Sequence, residues 1–380
     1  MHEVLLRVGD TEIEGWTSVT IRKSLDQLAD EFSMELSSQW LDDRGSSQLD
    51  GVTADFVKRA ASTLTTADLC EIVVDGQVVI TGYLDDYGFN YTATSARLSV
   101  SGRSKAGDLC DCMAFRGTTT HQRADKKKKV NKNRFLWENA TLAQIAGDLC
   151  SPFGIQCLVS GVDVTSQPFK RFRIEPGETV FDALSRAAEL RGAIPISTPD
   201  GDIAFVRSSG ISSGAVIELG ANVIEGSKQS SLRGRFSDYL FRGQTFADDT
   251  VNGVKASELD GSVQDDAVPR YRPCMIIGQH QGNNEDLGAR AIWERNVRAG
   301  RAVRHRYTLE GWLNSAGVPW ETNTLVKITD HWCGVDSEKL LCSIELSIDN
   351  SSYTAQLELV DASAFSPSKV VKLPRQDDDE

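Results

Sequence analysis

Alternation of apolar and polar side chains dominates the first hundred positions. Ser18-Val19-Thr20-Ile21-Arg22, Phe32-Ser33-Met34-Glu35-Leu36 and Ala96-Arg97-Leu98-Ser99-Val100-Ser101 each repeat with period two, which gives a segment one apolar and one polar face, as in a half-buried strand. The third segment is expected to stop at Gly102. Between Val73-Val74 and Val78-Val79-Ile80 stands Asp75-Gly76, a pair that accepts positive φ at both centres of a tight turn and so predicts a β-hairpin. Phe56, Val57, Ala60 and Leu64 fall at helical spacing instead, which predicts a short helix in a long loop between strands.

From 139 to 206 the period changes to helix followed by strand, twice. Thr141-Leu142-Ala143-Gln144-Ile145-Ala146 leads through Gly154 to Ile155-Gln156-Cys157-Leu158, and Thr179-Val180-Phe181-Asp182-Ala183-Leu184 leads through Gly192 to Ala193-Ile194-Pro195-Ile196. Each threonine can cap a helix N-terminus, and each glycine suits the left-handed residue that closes one. A hairpin from Ile194 to Val206, turning at Pro199-Asp200-Gly201, completes a small α/β module. Between this module and the first strands, residues 106 to 135 carry eight basic side chains against three aspartates, with few apolar residues after Phe115. They read as an exposed, mobile loop.

Strands resume after 210, with a polar stretch at 247–268 and a helix expected at Asp286 to Arg298. Three segments of this last region have counterparts in the first. Glu310-Gly311-Trp312 repeats Glu14-Gly15-Trp16, Leu325 to Asp330 resembles Cys70 to Asp75, and Tyr353 to Val360 resembles Tyr91-Thr92-Ala93 with Arg97 to Val100. Their common order suggests two related β-domains. The expected organisation is a first β-domain at 1–105, a basic loop at 106–138 and the α/β module at 139–210. A second β-domain would comprise 211–245 and 300–365, interrupted by an insertion with a helix at 246–299, and an acidic tail would close the chain at 366–380. The fold class is α+β, mainly β.

Composition narrows the function classes. The 380 residues exceed what one core usually organises, and 40% apolar with 25% charged residues is an ordinary globular balance. No window offers a membrane-spanning run, and the N-terminus lacks the basic start and apolar stretch of a signal peptide. Folding in a cytoplasm without membrane insertion is expected. A net charge of −13 argues against a general nucleic-acid coat, whose affinity depends on basic residues releasing counterions from phosphate. The eight cysteines are expected as free, mostly buried thiols.

Candidate chemistry is sparse, and no enzymatic activity, cofactor or metal is expected. Gly210-Ile211-Ser212-Ser213-Gly214 has a hydrolase-like spacing, but the following Ala215-Val216-Ile217-Glu218-Leu219 reads as a strand, whereas a nucleophile elbow needs a helix. Cys110 with Cys112, and His331 with Cys333, lack paired zinc-ligand spacing. Asp42-Asp43 and Asp85-Asp86 fit turns better than glycosidase pairs. Two readings stay open. Lys126, Lys127, Lys128 and Lys129 could touch phosphate if their loop faced a DNA channel, or form a solvated loop. Phe172 to Val180 resembles the opening of a LysM module, which would assign peptidoglycan contact to Glu175, Gly177 and Thr179; a turn followed by a helix cap explains the same residues.

Taken in order, Gly15-Trp16-Thr17-Ser18-Val19-Thr20-Ile21-Arg22-Lys23-Ser24-Leu25-Asp26 with Phe32, the hairpin running into Ile80-Thr81-Gly82-Tyr83, Ser101-Gly102-Arg103-Ser104 and Asp108-Leu109-Cys110-Asp111 resemble the baseplate hub family of Mu-like contractile-tailed phages. That family is related to the hub part of type VI secretion spikes. The resemblance implies two similar tube-like antiparallel β-barrel domains per chain, with an inserted small α/β module and a further, partly helical insertion. It implies a homotrimeric, pseudo-sixfold ring in the virion baseplate, joining tail tube and other baseplate proteins to a central spike and passing DNA during injection. A hub of a bacterial secretion system is the alternative from the same resemblance.

Overall fold

A computed structural model describes residues 3–39, 62, 64–92, 95–115, 135–158, 168–191, 193–207, 210–243, 259–277, 284–349 and 352–365. The alternating N-terminal segments become strands β1 (Val4–Val8), β2 (Thr11–Ile13), β3 (Ser18–Ser24), β4 (Glu31–Gln39), β5 (Leu69–Val74), β6 (Gln77–Tyr91) and β7 (Ser95–Ser104). Asp75 and Gly76 turn the β5–β6 hairpin with φ of 50° and 80°. Strand β7 runs past the expected stop at Gly102, because glycine is the residue that fits there: a Cβ on it would lie 2.1 Å from the Tyr83 carbonyl oxygen. Of the expected 56–64 helix, Phe56, Val57 and Ala60 lie outside the described residues; Leu64 is buried in the core.

The α/β module contains α1 (Gly107–Asp111), β8 (Leu136–Ala140), α2 (Leu142–Cys150), β9 (Cys157–Leu158), β10 (Phe169–Arg173), α3 (Val180–Glu189), β11 (Ile194–Ser197) and β12 (Ile203–Val206). Thr141 and Thr179 each cap their helix in a reciprocal box, with Gln144 and Asp182 returning the hydrogen bond. Gly154 takes the left-handed conformation, φ 68°; Gly192 lies outside the described residues. The reading of 106–135 as a single loop is corrected at its start. Ala106, Leu109 and Ala114 are buried in the module core, so helix α1 belongs to the module, and only the composition downstream concealed it. Strands β8 and β10, antiparallel to each other, were not anticipated.

The C-terminal half comprises β13 (Ser212–Glu218), β14 (Val223–Ser230), β15 (Asp238–Gly243), β16 (Leu259–Gln264), β17 (Pro273–Ile277), α4 (Asn284–Arg301), β18 (Val303–Glu310), β19 (Leu325–Asp330), β20 (Val335–Asp349) and β21 (Ser352–Val360). Strand β15, grouped by sequence with the second β-domain, pairs instead with β16 and β17 in a separate three-stranded sheet. Part of the stretch read as merely polar is therefore strand β16. Helix α4 packs on this sheet through Phe241, Leu287 and Ala291.

The remaining strands form one 13-stranded sheet, ordered β14-β18-β21-β20-β3-β4-β7-β6-β5-β1-β2, with β19 joined to β20 and β13 to β19. Among the described residues the two halves are joined in this one sheet and no closed barrel is found, so the expected pair of tube-like barrels is matched only as far as the mainly β architecture. The physical reason is strand β20. Its residues 335–340 pair with β19 while residues 343–349 pair with β3, so one long strand serves both halves. A single apolar cluster, from Leu6, Ile21 and Met34 through Ile344, Leu346 and Leu357, fills the interior of both.

Of the eight free cysteines, Cys70, Cys150 and Cys342 are buried, Cys112 is exposed and four are half-buried, so burial is less general than expected. Between β3 and β4, Asp30 is 6% exposed and lies 3.7 Å from the Lys23 ammonium. Burial outweighs that attraction and pushes its carboxyl up from 3.8 to about 6. A carboxyl raised on folding stabilises the fold fully below its unfolded value, and this contribution is lost as pH rises through 6. Relative to Asp30→Asn, the wild-type chain should lose about 2–3 kcal/mol between pH 4 and 7.5. Urea titrations giving both proteins the same pH slope would contradict this.

Candidate functional site

Directly opposed residues of neighbouring strands project to the same face of a sheet, so the pairing register gives the face opposite the core row by row. One row runs Asp86, Ser101, Ser33, Thr20, Ser347, Thr354 and Glu310. The next runs Arg103, Glu31, Arg22, Glu345, Gln356, Thr308 and Glu225. A third is Gly88, Ser99, Glu35, Ser18, Asp349 and Ser352. Apart from Gly88 every member is polar. Together the rows cover eight strands, from β6 to β14, with a largely polar surface, and Tyr83 stands opposite Arg103 at the β6 end of the second row.

The arginines of that surface are matched by carboxylates. Arg22 donates to Glu345 at 2.7 Å across the β3–β20 seam, Arg97 lies 3.2 Å from Glu35, and Arg103 reaches Asp85 at 2.6 Å and Asp111 at 2.8 Å. Arg304 and Arg306 both bind Glu358. The hydrogen bond from Glu345 holds Arg22 above its ordinary value, and those from Asp111 and Asp85 do the same for Arg103. Such exposed pairs add little stability; their effect is to leave the surface without an uncompensated arginine in these rows.

The seam joins two halves built to one plan. The order β5-β6-β7-β4-β3 in the first half matches β19-β20-β21-β18-β14 in the second, with each neighbouring pair antiparallel in both. Even the bulges coincide. In β6 the register shifts between Leu84 and Asp86, opposite Gly102 and Ser101; in β20 it shifts between Leu341 and Ser343, opposite Leu359 and Glu358. The correspondence stops at β1 and β13, which pair antiparallel with β5 and parallel with β19 respectively. Of the three sequence matches, β5 with β19 and β7 with β21 are equivalent strands. The first is displaced by one residue: Cys70 and Ile72 share the buried phase of Val326 and Ile328. Glu14-Gly15-Trp16 precedes β3, whereas Glu310-Gly311-Trp312 follows from β18, the counterpart of β4. That match is not structural, although both tryptophans enter the common core.

Lys126, Lys127, Lys128 and Lys129 lie outside the described residues, as do Asp42 and Asp43. Glu175 and Gly177 are exposed in the turn before α3, with Gly177 at φ 87°. The Thr179 hydroxyl accepts from the Asp182 amide at 3.1 Å, and the Glu175 amide donates to Glu178 at 2.9 Å. These three residues are thus engaged in turn and cap, apart from the polar sheet face. Asp85 and Asp86 lie at the β6 bulge and not in a turn. The seam residues were not singled out as a site from the sequence; their signal was serine, threonine and charged residues sharing every second position of β3, β4, β7 and the end of β20.

Similarity to known proteins follows the same architecture. Residues 3–104 match the family model described as Mu phage baseplate assembly protein GpP-like, N-terminal. Residues 129–207 match the second domain of baseplate hub protein gp44-like, and 284–368 the fourth domain of the Mu phage GpP protein. The baseplate hub protein gp44 of Escherichia phage Mu is 29% identical over 351 residues, covering 90% of this chain and 83% of the relative. The crystal structure of the 43 kDa tail protein of prophage MuSo2 from Shewanella oneidensis is 30% identical with a TM-score of 0.77, over 96% of this chain and 100% of that one. The chain belongs to the baseplate hub family of Mu-like phages. A tail protein from Neisseria meningitidis has the same fold, at 21% identity and TM-score 0.75 over 96% and 98% of the two chains. As a hub-family member, the chain is a structural component of the phage tail baseplate, and its relatives of known role are structural proteins.

Proposed function

We propose that three copies of this hub protein close a ring in which the two halves of each chain act as six similar units, joining a sixfold tail tube to a threefold spike. The observation behind this reading is the repeated strand order within one chain, joined at the β3–β20 seam. A threefold assembly of twofold-repeated chains presents nearly sixfold geometry on one side while keeping true threefold symmetry for the other. Assembly in the host cytoplasm would precede incorporation into the virion tail.

The polar sheet face is the proposed wall of the central channel. DNA passing such a wall meets serine, threonine and arginines already bound to carboxylates, so few counterions are released on contact and the duplex slides without sticking. Mass in solution with negative-stain images tests the reading. A ring of three that does not retain duplex DNA at low salt is expected; a lone chain at every concentration, or firm DNA retention, would count against it.

A further inference from the structure

Two thiols of the α/β module meet where α2 ends. Cys150 is the last residue of α2 and Cys157 the first of β9. Between them, Ser151, Pro152 and Phe153 make one 3-10 turn and Gly154, at φ 68°, reverses the chain. The Ile155 amide then reaches back to the Cys150 carbonyl at 3.4 Å, and the returning strand pairs Cys157 with Ile203 of β12. Both cysteines pack into the apolar interior of the module, Cys150 fully buried and Cys157 half-buried. There the Cys150 thiol hydrogen-bonds to the Cys157 sulfur.

We propose that Cys150 and Cys157 form a thiol–disulfide exchange site whose substrates are low-molecular-weight disulfides, with Cys157 as the attacking sulfur and Cys150 as the resolving one. The Cys157 thiolate attacks one sulfur of the external disulfide and forms a mixed disulfide. The first external thiolate leaves and takes up the proton that Cys157 gave up. Cys150 then loses its proton and attacks the Cys157 sulfur, which makes the Cys150–Cys157 bond and expels the second external thiolate, protonated in turn. Two protein thiols are thereby oxidised by two electrons, and one external disulfide is reduced to two thiols.

The surroundings assign the two roles. The attacking sulfur must be reachable and present as thiolate. Cys157 is the more accessible of the pair, and the hydrogen bond from Cys150 lowers its thiol below the ordinary value. Asp202, whose carboxylate accepts from the Gln156 amide at 2.9 Å, opposes that effect but is the weaker influence. Cys150, raised by the same hydrogen bond and by burial, keeps its proton until the mixed disulfide stands beside it. Burial raises the thiols of Cys70, Cys110, Cys112, Cys333 and Cys342 instead. A reducing cytoplasm keeps such a pair as thiols, whereas a tail that has left the cell meets oxidising conditions. Closure then ties the end of α2 to the β9–β12 sheet, and it does so whether or not the chains form a ring.

Tryptic mapping supplies the test. Residues 135–170 end at Lys170, contain no other lysine or arginine, and hold Cys150 and Cys157 as their only cysteines. After the folded chain is exposed to glutathione disulfide and its remaining thiols are alkylated in denaturant, this peptide should be unalkylated and lighter than its reduced form by two hydrogens. Reduction should restore both alkylation sites. Cys150→Ser should stop at glutathione on Cys157, and Cys157→Ser should slow modification of Cys150 at least about tenfold, as loss of the accessible attacking sulfur requires. In the oxidised wild-type chain, amide exchange across β9 should slow about tenfold, because a closed loop opens less readily. A wild-type peptide still alkylated at both cysteines, or one carrying glutathione that never passes to Cys150, would overturn the proposal. So would undiminished reaction at Cys150 when Cys157 is serine. The wild-type mapping needs no variant, so it decides the matter even if a serine variant fails to fold.

Discussion

Alanine at Gly102 should destabilise the protein by about 3–4 kcal/mol, the upper range for forcing an extra group into a packed interior. Its Cβ would stand 2.1 Å from the Tyr83 carbonyl oxygen and 2.7 Å from the Phe32 ring. The first obstacle is backbone, which no rotamer change can move aside. Strands β6 and β7 would have to separate at the bulge, where Leu84 and Asp86 bracket the register shift. The comparison is Gly147→Ala in helix α2, where a Cβ meets nothing within 4 Å and alanine should add about 0.5–1 kcal/mol through helix propensity. Urea titration of both variants checks the pair. A Gly102→Ala protein as stable as wild type would mean that the close approach of β6 and β7 is not a real constraint.

A charge at the seam should unfold both halves together. Leu346 faces Ile21 on one side and Ala355 on the other and belongs to the common core. Leu346→Asp would bury a carboxylate with no cation opposite it in the ladder and should cost at least about 4 kcal/mol. The informative readout is where amide protection is lost. Because one apolar cluster spans the chain from β1 to β21, protection should fall in β3 and β4 as well as in β20 and β21, in a single cooperative step. Retained protection in β3 and β4 would indicate two independent folding units.

The polar face of the sheet runs across the seam from one half to the other. Arg22 and Glu345 lie far apart in sequence, yet they meet across it and continue a row of polar side chains from one half to the other. Neither half alone has this surface at its full width. The bulges at matching places in β6 and β20 bend these two long strands alike, so each can change partners along one edge. In β20 that change is satisfied within the chain, by β19 and then β3. In β6 it stops after β5.

The alternating strands β3, β4 and β7, the β5–β6 hairpin with its Asp75-Gly76 turn and the two threonine-capped helices were legible in the sequence, because period-two alternation, positive-φ turn residues and hydroxyl caps act within a few residues of one another; β8, β10 and β16, which lack such marks, were not. The kinship of the two halves was legible only in part. A shared fold needs the same burial phase, not the same residues, so β5 and β19 could be matched one residue out of register and Trp16 with Trp312 for no structural reason. The partner of each edge was decided by tertiary structure alone. That β3 pairs with β20 and that β15 leaves the large sheet depend on backbone edges brought together from distant parts of the chain. Hydrogen bonds between such edges are made by main-chain groups, which are alike at nearly every residue and so leave no mark in the sequence.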